Sequence, residues 1–158
     1  WQLEDLLRAY NFNVQALVQN FNYPLNVLAD VTQWYEQLAD AMKNEEIVVS
    51  GHLMQLKELV QDLSTLNIKL LQKPDEVEYK QLFNDALPHI AEISERSNNI
   101  LRNEIDACLT GMYGVLMLRL QKKEVGKDTE FAISTFSKLL SRLAFKYHKY
   151  EKGELDIE

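Results

Sequence analysis

Apolar side chains recur three and four positions apart along almost the whole chain, and strict alternation over a strand's length is nearly absent. That period belongs to helices, so the pattern predicts an all-α fold. Between Pro24 and about Glu45, Leu28, Val31, Tyr35, Leu38 and Met42 step 3, 4, 3 and 4 and share one stripe. Leu56, Leu59, Leu63, Leu66 and Leu70 repeat that spacing between about His52 and Leu71, as do Ile133, Phe136, Leu140, Leu143 and Tyr147 in the last helix. Between about Asn103 and Lys123 the apolar positions run nearly all round, which marks that segment as a candidate central helix.

Punctuation residues divide the pattern into about five long helices and one short one. Leu3, Leu6, Leu7 and Tyr10 read as the end of a helix that begins upstream of Trp1, and Asn11 interrupts it. Asn13 can cap a short helix reaching about Asn22. Ile47 to Val49, before Ser50 and Gly51, reads as a linker or brief extended stretch. Pro74 suits a first-turn position followed by Asp75, Glu76 and Glu78, and Pro88 bends or divides the helix it falls in. Ser97, Asn98 and Asn99 are loop-like, Gly126 ends one helix, and Asp128 or Thr129 can cap the last, which Gly153 closes. Residues 1–158 read as a single domain with a frayed acidic tail at 153–158.

The chain has 158 residues and a formal charge of −7, but the charge is segregated: residues 1–118 carry 8 basic and 17 acidic side chains, residues 119–152 carry 9 and 4. A net negative charge disfavours nucleic acid and anionic lipid as partners. No apolar run reaches the roughly 18–20 residues a membrane helix needs. Cys108 is the single cysteine, which fits a reducing compartment and makes the cytoplasm the expected location. The thiol lies on the most apolar segment and reads as buried and inert. His52, His89 and His148 fall on three segments with no E-x-x-H spacing, and no glycine-rich phosphate loop is present, so no metal, cofactor or catalytic residue is assigned.

Two features can carry function. Arg119 interrupts an apolar run and must pair, reach solvent or line a cavity, and Glu4, Asp5 and Glu104 are its candidate partners. A polar pocket built from Glu4, Asp5, Arg8, Glu104, Tyr113 and Arg119 is the functional version; an ordinary ion pair is the simpler one. Glu4 and Asp5 also stand four and three residues before Arg8, the spacing of intrahelical pairs. Secondly, Lys138, Arg142, Lys146 and Lys149 project away from the apolar stripe of the last helix as a basic ridge. A solvated face is the common meaning of such a ridge. A dock for an acidic partner, including the acidic part of another copy, is the functional one.

The segments Trp1 to Tyr10, Trp34-Tyr35, Gly51-His52-Leu53, Ala86-Leu87-Pro88 and Leu116 to Glu124 resemble, in order and over nearly the whole chain, a family of small all-helical proteins from Bacteroides-group bacteria classed as a domain of unknown function. The resemblance implies a charged amphipathic stretch before Trp1 and favours the cytoplasm; it brings no activity, substrate or cofactor. The sequence thus favours a non-enzymatic interaction or scaffold protein that self-associates or docks an acidic partner. Its rivals are a small-molecule or anion binder or enzyme around Arg119, and a nucleic-acid binder acting through the basic last helix.

Overall fold

The computed structural model describes residues 1–97 and 101–156, and every regular element among them is helical. In order these are α1 (Gln2–Ala9), α2 (Val14–Asn20), α3 (Leu28–Asn44), α4 (Met54–Gln72), α5 (Val77–Arg96), α6 (Glu104–Leu120) and α7 (Lys127–Glu151). The fold is all-α: α3 to α7 have 17 to 25 residues, while α1 and α2 have eight and seven. The helices form two compact units, Trp1–Glu58 and Leu59–Glu158, and α4 begins in the first and continues in the second. Asn98 and Asn99, read from sequence as a loop, lie outside the described residues, as do the last two residues of the acidic tail.

In the first unit α1 stops where Asn11 and Phe12 take up positive φ (50° and 60°) and the Phe12 N–H turns back to the Leu7 carbonyl. Asn13 then caps α2 as its side-chain chemistry predicts, accepting the Ala16 N–H at 3.0 Å. Pro24 opens only a single turn, closed by Val27 N–H to Pro24 C=O at 3.1 Å, and α3 itself begins four residues later at Leu28. Its stripe buries Tyr35, Ala39 and Met42 against Leu7, Leu17 and Val18. Residues 47–53 are irregular, with no extended strand.

In the second unit α5, α6 and α7 pack pairwise against one another. Their shared core holds Tyr79, Ala86, Ile90, Ile105, Cys108, Phe136, Leu139 and Leu143, with Leu66 and Leu70 of α4. Gly111 permits the closest approach: a Cβ there would meet Ile93 Cδ1 at 2.4 Å and Phe136 Cε2 at 2.9 Å. Helix α6 is thus one side of a triangle rather than an axis, and its second half leaves Leu116 and Leu120 exposed.

Three boundaries differ from their sequence reading. Helix α5 starts at Val77, because residues 73–76 form a turn that points Glu76 at Lys146 of α7. Pro88 lies inside an unbroken α5 and withholds a donor from Asn84 without dividing the rod. Lys122, at φ 56°, rather than Gly126, ends α6 by returning its own and the next N–H to Arg119 and Leu118. Gly126 is instead the N-cap of α7, ahead of Asp128 and Thr129.

Candidate functional site

Of the six residues expected to line a polar pocket, Glu4, Asp5 and Arg8 belong to the first unit and Glu104, Tyr113 and Arg119 to the second. Glu104 and Arg119 stand at opposite ends of α6, about 22 Å apart at 1.5 Å per residue, with Tyr113 between them. Arg119 is 60% exposed and pairs with Glu130, at 3.9 Å and equally exposed. In that setting the guanidinium reaches water, and the pair contributes little.

Glu4, Asp5 and Arg8 form a different arrangement within the first unit. Asp5 pairs with Arg8 at 2.7 Å, as the i,i+3 spacing predicts. Arg8 also donates to the carbonyl oxygens of Ile47 and Gly51. Glu4 turns away from Arg8: only 2% exposed, it accepts the Leu53 N–H at 3.0 Å and meets His52 Nδ1 at 2.6 Å. Burial alone would raise the Glu4 carboxyl, but the hydrogen bonds from Leu53 and His52 hold it below the usual carboxylate value. The His52 ring stacks on Trp1 with centroids 4.8 Å apart. These contacts tie α1 to the segment 47–53 and serve as a clasp. Sequence reasoning missed it, because a helix and a loop 39 or more residues apart leave no spacing signal.

On α7 the basic ridge is divided by its contacts with α5. Lys146 is mostly buried and ion-paired to Glu76, itself equally buried. Arg142 donates to Glu78 at 2.7 Å, while its Nε is buried with no hydrogen-bond partner among the described residues. These two side chains face α5 because α7 is wedged between two helices. Its buried stripe includes Thr135 and Leu139 and is wider than periodicity alone indicated.

What remains at the surface is basic and aromatic. Phe131, Lys138 and Phe145 recur every seven residues, so they lie on one stripe of α7 with about 20° of drift per step. Phe131 is 64% exposed and Phe145 is 49% exposed, some 21 Å apart along the helix. Arg142 and Lys149 both lie over the Phe145 ring, at 5.5 and 4.9 Å from its centroid. Phe131 meets the His89 ring on α5 in a T-shaped contact, centroids 5.7 Å apart. A shallow groove of about 460 Å³ follows this edge, lined by Glu78, Leu82, Ser137, Lys138, Ser141, Arg142 and Phe145. Such a face can bind apolar and acidic groups together, since its rings are uncovered and its cations are held beside them.

The remaining chemistry is sparse. Among the described residues no group of three or more His, Cys, Asp or Glu side chains could hold a metal ion, and no helix is long and apolar enough to cross a membrane. Cys108 is fully buried, and burial, then the Glu104 charge, push its thiol up to about 12. Burial also raises Tyr79, whose hydroxyl donates to Asn67 Oδ1 at 2.7 Å inside the core.

No curated protein and no solved structure matches the chain. A family model, described as a domain of unknown function (DUF4924), matches residues 1–154. That match spans nearly the whole chain, and the chain belongs to this family.

Proposed function

We propose that the protein is a non-enzymatic interaction module that self-associates, the aromatic and basic face of α7 receiving the acidic first unit of a second copy. The observation that carries this reading is the pair of uncovered rings, Phe131 and Phe145, flanked by Lys138, Arg142 and Lys149. Charge supports the choice of occupant. Residues 1–58 hold three basic and eight acidic side chains, a net −5, and α3 carries exposed Asp30 and Trp34 one turn apart. An acidic helix with an aromatic anchor is the chemistry the α7 face fits. The Ser137 and Ser141 hydroxyls add hydrogen-bonding capacity along the groove.

Nucleic acid is the weaker reading, since two of the four ridge cations already neutralise Glu76 and Glu78. A pocket around Arg119 has less to support it, since Arg119 is 60% exposed and pairs with Glu130. Light scattering over a concentration series tests the proposal: the chain forms dimers or larger species at low salt, and Lys138→Glu combined with Phe145→Ala shifts it to monomer. A wild-type chain that stays monomeric at the highest concentration contradicts it.

A further inference from the structure

A second concave site lies at the other end of α7, where Tyr147 and Tyr150 face α4 across a pocket of about 160 Å³ whose walls also include Asp62, Thr65, Leu66 and Lys69. All six belong to the second unit, so this pocket is independent of the docking proposed above. Its volume is close to that of a protein cavity that admits benzene, which limits an occupant to a handful of heavy atoms.

We propose that this pocket binds a small alkylated ammonium ion, with the tyrosine rings supplying cation–π contacts and Asp62 the counter-charge. Aromatic faces are negative at their centres and attract a cation that is too weakly hydrated to prefer water. Asp62 makes no ion pair among the described residues, so its charge is available to an incoming cation. Burial first, and then Glu151, Asp62 and Tyr150, raise the Tyr147 hydroxyl above its ordinary value. Of these neighbours the two carboxylates, Glu151 and Asp62, bring negative charge to the site, which favours a cation over an anion. Lys69 is the single cation of the lining, and its exposed position on α4, a full two turns beyond Asp62, lets its ammonium extend into water. A hydroxyl from Thr65 completes a lining that is part ring, part polar.

The test is a titration of the full chain with tetramethylammonium chloride and with choline, read from the aromatic NMR signals of Tyr147 and Tyr150, with sodium chloride at equal ionic strength as blank. The neutral choline isostere 3,3-dimethylbutan-1-ol separates charge recognition from the filling of a greasy hole. Saturable shifts at both rings are expected with the cations and not with the isostere. Tyr150→Ala and Asp62→Asn, both at exposed positions, should each weaken binding about two- to fivefold, the range for one exposed cation–π contact. Absence of saturable shifts at tens of millimolar, equal binding of the isostere, or binding unchanged in both variants overturns the proposal. None of these results bears on self-association, which is measured separately.

Discussion

Replacing Glu4 tests the clasp that ties α1 to residues 47–53. Its carboxylate is buried and accepts two hydrogen bonds, at 3.0 Å from Leu53 N–H and 2.6 Å from His52 Nδ1. A hydrogen bond to a charged acceptor contributes roughly 1.5–3 kcal/mol, and a buried donor left unpaired loses its hydration as well. Glu4→Ala therefore destabilises the first unit by about 3 kcal/mol. Glu4→Gln keeps the shape and one acceptor but sets an NH2 against a donor, so about half that loss is expected.

The pH dependence has a definite sign. Because the folded-state carboxyl is held below its ordinary value, its stabilisation is fully present above the unfolded value and is lost as pH falls through the folded one. The gap between wild type and Glu4→Ala should close in acid. Both tryptophans, Trp1 and Trp34, lie in the first unit. Urea unfolding followed by tryptophan fluorescence consequently reports that unit, while circular dichroism at the helical band reports the whole chain. A Glu4→Ala change under 0.5 kcal/mol (a loss smaller than roughly one neutral hydrogen bond), or a gap that widens in acid, would refute the reasoning.

Four further outcomes follow from the second unit. Gly111→Ala should destabilise it by about 1–2 kcal/mol in thermal unfolding, because the new methyl meets Ile93 and the fully buried Phe136. Gly114→Ala, with nothing within 4 Å of the new Cβ, should stabilise α6 by about 0.5–1 kcal/mol. Removing one member of the buried pair, by Lys146→Met or Glu76→Gln, should cost about 3 kcal/mol, and the double variant less than the sum, a coupling that a double-mutant cycle in urea measures. Cys108, with its thiol raised to about 12, should react with an aromatic disulfide reagent at pH 8 only at the rate of unfolding and at once in denaturant.

The sequence made the helices legible where one face packs against one neighbour. The stripe from Leu28 to Met42 and the Asn13 cap are of that kind, because three- and four-residue spacing and a side-chain oxygen carry local information. It was less legible at termini set by tertiary contacts. Nothing local says that Lys122 will adopt positive φ, or that residues 73–76 will turn to bring Glu76 against Lys146. The basic ridge shows the same limit. Helical angles place Lys138, Arg142, Lys146 and Lys149 on one side, but only the packing of α5 on α7 shows that Lys146 is buried while Lys138 remains exposed. The seven-residue recurrence of Phe131, Lys138 and Phe145 is present in the sequence but lies outside the apolar stripe of Ile133, Phe136, Leu140, Leu143 and Tyr147. The Glu4 clasp had no such signal, since its partners come from a distant loop.

The most direct test of the docking claim uses an equimolar mixture of ¹⁴N- and ¹⁵N-labelled copies joined by a zero-length carboxyl–amine cross-linker and read by mass spectrometry. The account predicts mixed-isotope links between Lys138 or Lys149 and carboxylates of residues 1–58, abolished by Phe145→Ala. Links confined to single copies, or mixed links that avoid α7, contradict it.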